Sequence, residues 1–279
     1  MFGYVMNDAL IKRVAEDLPL FEAIFLRGLV AVSLLSVIVR ARGAAVPVRT
    51  YLQRPLLLRI AMETAGTVAY LLALTKVPIA GLTAVMQLVP IAVTFAAARL
   101  LREQVNVHRA GALAVGFIGV LCVVKPGSDD FSPWFLGGLA TVVLIVVREL
   151  ATRRIPSNVS GTAVALGTGV AITTMGGGVS VFDGWGRPAP ATILLLVACA
   201  GFLSLGYVAS INSIRTGDIG FSAPFRYTVL IFAIVLQIIV FHDTPDPLTF
   251  VGSAIVAAAG LYALAHERAS NLRATAVMR

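Results

Sequence analysis

Apolar residues in this chain come in long unbroken runs, without the one-faced rhythm of a helix that is half in water. Short polar segments separate the runs and hold most of the arginines. The pattern predicts ten helices, over residues 1–14, 20–39, 56–74, 79–101, 108–124, 133–152, 160–182, 189–213, 220–241 and 249–265. A helix rises 1.5 Å per residue, so a hydrocarbon core of about 30 Å takes about 20 apolar residues, and most of the runs approach that length. The run over residues 1–14 reaches only about 21 Å, so a first helix shortened at its start is expected. The connections are too short to be domains, and the whole reads as one all-α membrane protein.

Composition agrees. The 279 residues are 58% hydrophobic and 13% charged, with mean hydropathy +0.90. Soluble domains carry about 25% charged residues, so a soluble enzyme is excluded. The net charge of +8 has no basic stripe interleaved with aromatics, so nucleic acid is not an expected partner. Cys122 and Cys199 lie in apolar runs and read as small packing residues. No metal-ligating spacing and no glycine-rich phosphate loop is present, and no metal or cofactor is expected. Gly176-Gly177-Gly178 lies inside an apolar run and reads as helix packing or a kink. Met1 leads directly into Phe2-Gly3-Tyr4-Val5-Met6, so no cleavable signal peptide is expected there.

The positive charges set an orientation. With a cytoplasmic N-terminus, 14 of the 22 lysines and arginines fall in cytoplasmic segments and 5 on the opposite side, with Arg27, Arg59 and Arg226 inside helices. Ten helices then place both termini in the cytoplasm, and the expected location is a bacterial inner membrane.

The two halves match at a nearly constant offset. Asn7-Asp8 followed by Lys12-Arg13 corresponds to Arg148-Glu149 followed by Arg153-Arg154; Gly111 and Gly119 correspond to Gly252 and Gly260. Glu103 corresponds to Asp243, one position off that offset. Repeated matches at one period point to duplication. The expected repeats are residues 1–125 and 131–268. Five helices per repeat reverse the entry side of the second copy, so the repeats are inverted, as in many alternating-access carriers.

Thr75-Lys76-Val77-Pro78-Ile79-Ala80-Gly81-Leu82-Thr83-Ala84, then Pro90, then Leu100-Leu101-Arg102-Glu103-Gln104-Val105, resembles the signature of EamA-type carriers of the drug/metabolite transporter superfamily. In the second half, Ala223-Pro224-Phe225-Arg226-Tyr227, Phe241-His242-Asp243-Thr244-Pro245-Asp246 and the run Gly252 to Tyr262 are similar to its closing block, with Asp243 where the family usually has Glu. The resemblance implies ten helices in two inverted repeats, a central cavity lined by helices 1–4 and 6–9, and solute exchange or ion coupling. Asp8-Ala9-Leu10-Ile11-Lys12 and Phe25-Leu26-Arg27-Gly28 are similar to a branch that includes S-adenosylmethionine and riboflavin carriers.

Ionisable groups inside spans are costly and face a cavity or a partner. Candidates for substrate or coupling ion are Asp8, Arg27, Glu63, Gln87, Tyr207, Arg226 and Tyr227. Pro90 is the hinge candidate, because its missing N–H frees the carbonyl of Met86. Asp8 and Arg27 lie at similar depth and are expected to pair. Glu63 is expected to couple transport to protons or to bind a cationic group, with Arg226 as alternate partner. The expected function is secondary transport of a small organic metabolite (an amino acid, or a cofactor-like or drug-like solute) by a monomer or homodimer in the lipid bilayer. The alternatives are a membrane-embedded lipid-modifying enzyme and a channel or receptor. The adjacent acidic pair Asp129-Asp130 lies in a loop, and His108, His242 and His266 are far apart, which argues against the enzyme.

Overall fold

Inside a bilayer no water satisfies the backbone, so a spanning segment must bond its N–H and C=O groups internally. Every regular element among the described residues is accordingly helical. The computed structural model describes residues 2–100, 107–128, 131–156, 158–216 and 228–277. The helices are α1 (Phe2–Asp17), α2 (Leu20–Ala41), α3 (Val48–Tyr51), α4 (Arg54–Leu74), α5 (Ile79–Met86), α6 (Leu88–Leu100), α7 (Val107–Val124), α8 (Phe135–Thr152), α9 (Gly161–Asp183), α10 (Pro190–Thr216), α11 (Thr228–Phe241) and α12 (Pro247–Val277). Five stretches are long and apolar enough to cross a membrane: 20–41, 54–74, 79–97, 135–152 and 161–183. Shorter apolar helices cover 110–124, 190–206, 228–241 and 247–263. Leu58, Phe117, Val143, Leu194 and Ile239 stand exposed on these helices, a surface suited to lipid and not to water. The chain is an all-α, multi-pass membrane protein.

Local chemistry sets the helix ends. Pro19, Pro47 and Pro78 sit at N-caps, where a missing N–H costs no helical bond. Ser160 caps α9 by accepting from the Ala163 N–H at 3.1 Å. Gly43 at φ +58° ends α2 in a left-handed turn, with the Ala44 N–H donating to the Val39 carbonyl at 2.9 Å.

Two sequence expectations change. The short helix α3 lies in what reads as a loop, with the Tyr51 hydroxyl donating to the Ala163 carbonyl at 3.0 Å. The run 79–101 is not one helix: α5 stops at Met86 and α6 starts at Leu88, with Gln87 between them. The break falls one turn before Pro90, whose ring excludes the helical bond to the Met86 carbonyl. Residues 217–227, within or beside the expected ninth helix, lie outside the described residues, as does Glu103.

The chain forms two compact units, each drawing on both halves of the sequence: 2–76 with 143–211, and 77–142 with 212–279. In the first, α2 and α9 pack antiparallel through glycines. A Cβ at Gly176 would meet Ile24 Cγ2 at 2.9 Å, one at Gly28 would meet Thr173 Oγ1 at 2.2 Å, and one at Gly169 would meet Val32 Cγ2 at 3.3 Å. Gly28 and Gly169 are 141 positions apart, as are Val32 and Thr173, so these two contacts exchange under the offset of the internal repeat. In the second unit α7 and α12 also pack antiparallel: a Cβ at Gly252 would lie 2.5 Å from the Gly119 carbonyl oxygen, and one at Gly116 would lie 3.7 Å from Ala259 Cβ. Small residues let the two backbones touch, which drives helix association where the hydrophobic effect does not.

The second unit is tied at two further points. The Ala80 N–H, in the first turn of α5 where no helical acceptor exists, donates to Gln237 Oε1 of α11 at 2.9 Å. Gln237 Nε2 donates to Asp243 Oδ2 at 3.0 Å. Asp246 caps α12 by accepting from the N–H groups of Leu248 and Thr249, each at 3.0 Å, and pairs with the Lys125 ammonium at 3.0 Å. Burial opposes ionisation of Asp246, but the Thr249 hydroxyl and N–H and the Lys125 ammonium outweigh it and hold the carboxyl at about 2.

Two tests follow from these contacts. Gly176→Ala is expected to destabilise by about 1–3 kcal/mol, since Phe21 and Phe25 backbone atoms lie 3.1 Å from the new Cβ; Gly178→Ala, which meets nothing within 4 Å, is expected to be neutral or slightly stabilising. Equal unfolding midpoints in detergent would contradict this packing. For Asp246 the folded-state carboxyl lies below its ordinary value of about 3.9, so its stabilisation is complete above that pH and lost as pH falls through about 2. Asp246→Asn keeps the cap and removes the charge. Its deficit in melting temperature against the parent should be constant above about pH 4 and vanish towards pH 2, whereas Asp246→Ala should keep a deficit of about 1 kcal/mol throughout.

Candidate functional site

Two polar clusters lie in the first unit, among helices otherwise built of aliphatic side chains. The first is centred on Asn7 of α1, which is 4% exposed. Asn7 Nδ2 donates to Asp8 Oδ1 at 3.0 Å, and Asn7 Oδ1 accepts from Arg27 Nη1 of α2 at 3.0 Å. The Cys199 thiol of α10 donates to Asn7 Oδ1 at 3.1 Å. On the other side of the carboxylate, the Tyr70 hydroxyl of α4 donates to Asp8 Oδ2 at 2.7 Å. Asp8 and Arg27 therefore do not form the expected direct pair: an amide bridges them, and the guanidinium acts on the carboxylate only across it. Arg27 Nε is buried with no hydrogen-bond partner.

The second cluster is centred on Glu63 of α4. Arg148 of α8 grips it with Nη1 at 2.9 and 2.7 Å from the two carboxylate oxygens, and the other arm of Arg148 bonds Glu149. Arg59, one helical turn before Glu63, brings Nη2 to 3.7 Å of it and donates from Nη1 to Thr168 Oγ1 at 2.8 Å. Two cations and two carboxylates thus neutralise one another. Arg226, the expected partner of Glu63, lies outside the described residues, as does Tyr227; the backbone of Tyr207 belongs to α10 and its side chain lies outside them. A sequence-local partner was nevertheless available, because Arg59 and Glu63 have the i, i+4 spacing that brings opposite charges together on a helix.

The clusters occupy corresponding places. Asn7 and Asp8 stand 141 positions before Arg148 and Glu149, and Arg27 stands 141 before Thr168. Sequence comparison aligns these residues but does not reveal Asn7, Tyr70, Arg148 or Cys199 as site residues, since each acts across helices. Gln87, at the break between α5 and α6, is 6% exposed with an unpartnered Nε2, and belongs to the other unit. An aliphatic groove of 630 Å³ runs along α4 and α9, with Thr64 as its one polar contribution; it offers nothing to hold a charge. Among the described residues no group of His, Cys, Asp or Glu could hold a metal ion.

Ionisable groups kept inside lipid-facing helices are what a membrane transporter needs, and comparison with known proteins gives that class. Residues 1–125 match the EamA-like transporter family. The chain is 23% identical over 267 residues to an S-adenosylmethionine uptake transporter of Rickettsia prowazekii, covering 95% of this chain and 90% of that one. It is 26% identical over 267 residues to a pseudopaline exporter of Pseudomonas aeruginosa (92% and 90% covered), and 24% identical over 218 residues to a riboflavin transporter of Rhizobium johnstonii (76% and 70% covered). A protein crystal structure superposes with TM-score 0.64 at 18% identity, over 94% of this chain and 95% of the other, which supports the multi-helix fold. Over most of its length the chain is similar to carriers of the drug/metabolite transporter superfamily, and it is a secondary transporter of small metabolites, not an enzyme.

The Glu63 cluster has a direct test. Glu63→Gln leaves Arg148 and Arg59 facing a neutral amide, and is expected to cost about 1–3 kcal/mol, below the roughly 3–5 kcal/mol of a fully buried pair because Glu63 and Arg148 are about a fifth exposed. Arg148→Gln should cost a similar amount, and the double variant less than the sum. Strict additivity in unfolding measurements would rule out the pair as a shared contact.

Proposed function

We propose that this chain carries a small organic metabolite across a bacterial inner membrane by alternating access. In this reading ten helices form two inverted repeats, residues 1–125 and 131–268, with both termini in the cytoplasm. The carrying observation is the Asp8–Asn7–Arg27 cluster: an anion and a cation inside the helices, bridged by an amide and not in direct contact. A substrate that brings the missing charges offsets their desolvation, which a permanent ion pair would do without a substrate. The inverted arrangement is supported by the antiparallel packing of α2 on α9 and of α7 on α12, since both pairs are repeat-equivalent helices. The orientation is supported by the 14-to-5 distribution of Lys and Arg.

The substrate is a cofactor-like or amino-acid-like solute, a reading supported by relatives named for S-adenosylmethionine, riboflavin and pseudopaline. Asp8, with neutral partners only, takes the coupling role: it gains and loses a proton without stranding a cation. Neutral Glu63 would strand Arg59 and leave Arg148 to Glu149 alone, so Glu63 serves as a structural clamp between α4 and α8. The interruption at Gln87, ahead of Pro90, is the hinge.

Reconstitution tests the proposal. Labelled S-adenosylmethionine or riboflavin should enter proteoliposomes saturably and accumulate when a pH gradient is imposed. Asp8→Asn should keep exchange and lose accumulation. Entry that rises linearly with concentration would indicate a channel, and accumulation unchanged in Asp8→Asn would remove the coupling role.

A further inference from the structure

Asn7 touches both charges, and it does so with the matching end of its side chain. The NH2 faces the carboxylate of Asp8 and the carbonyl faces the guanidinium of Arg27. An α-amino acid carries the same two functions, a donor cation and an acceptor anion, one carbon further apart. We propose that Asn7 is an internal stand-in for the amino-acid group of the substrate: the ammonium displaces its NH2 at Asp8, and the carboxylate displaces its carbonyl at Arg27. The substrate class is then a zwitterion, a deepening that rests on the carrier reading above.

Three further observations fit. Arg27 Nε is buried without a partner, so the guanidinium keeps a donor that the single carbonyl of Asn7 leaves unused. Beyond the two charges, the remaining side-chain contact on Asn7 is the Cys199 thiol, a weak donor. At the corresponding place of the second repeat, Arg148 meets the carboxylates of Glu63 and Glu149, where Arg27 meets the amide of Asn7. Tyr70 fixes the far oxygen of Asp8 and leaves Oδ1 directed at Asn7.

The test is calorimetric titration of the purified full-length protein with L-methionine, S-adenosylmethionine, L-methionine methyl ester, N-acetyl-L-methionine and riboflavin, with uptake measured in parallel. At least one of the two free zwitterions should bind. The ester lacks the carboxylate and the N-acetyl compound lacks the ammonium, so both should bind at least tenfold more weakly, because each leaves a buried partner unmet. Asn7→Ala removes the internal competitor and should tighten zwitterion binding by roughly threefold to tenfold, a gain of up to about 1.4 kcal/mol. A merely structural Asn7 would loosen it. If Asn7→Ala fails to fold, the blocked-ligand series on the parent decides alone. Equal binding of the blocked and free amino acids, or no zwitterion binding up to about 10 mM, overturns the proposal. Saturable riboflavin uptake without zwitterion binding removes this inference and leaves the carrier; zwitterion binding without uptake does the reverse.

Discussion

Water is absent from the interior through which these helices run, so each ionised side chain there must be met by another part of the fold. The two polar clusters meet that requirement in opposite ways. Around Glu63, charge is cancelled locally: Arg148 spans both carboxylate oxygens, Arg59 approaches from one turn away, and Glu149 takes the other arm of Arg148. Around Asp8, charge is only distributed, through the amide of Asn7 and the hydroxyl of Tyr70. A cancelled cluster is inert towards a solute, because breaking it strands a cation. A distributed one stores unmet electrostatic demand, which is what a carrier needs at a site that must fill and empty.

The difference arose at corresponding positions. Asn7-Asp8 and Arg148-Glu149 are related by the same offset that relates α2 to α9 and α7 to α12. With an asparagine in one copy and an arginine in the other, the neighbouring acid is left without a cation in the first and given one in the second. A single side-chain difference at the start of the cluster therefore separates an amide-bridged cluster from an ionic clamp that holds α4 against α8.

Glycine gives the helices their closeness. Gly119 and Gly252 bring backbone against backbone, and Gly28 and Gly176 admit α9 onto α2. In lipid, where apolar area alone does not drive helices together, this approach supplies the dispersion contacts that hold each unit. The three glycines 176–178 divide accordingly: the first two are packed on α2, while the third is open.

The sequence by itself determined the class: the long apolar runs left the bilayer as the only solvent, and nearly all the helix boundaries follow from them within a few residues. It also nominated Asp8, Arg27 and Gln87, since a polar residue in an apolar run is conspicuous whatever surrounds it. It missed the break at Gln87, because a proline within a helical run shows that a bond is lost but not where the helix stops. It aligned Asn7 with Arg148 without showing what either touches. Only the tertiary structure decided that Asn7 stands between Asp8 and Arg27, that Tyr70 reaches Asp8, and that Arg148 reaches Glu63. The physical reason is that hydropathy is a property of single residues and their spacing, whereas a partner across two helices depends on crossing and register, which are set by the packing of glycines and side chains far apart in the chain.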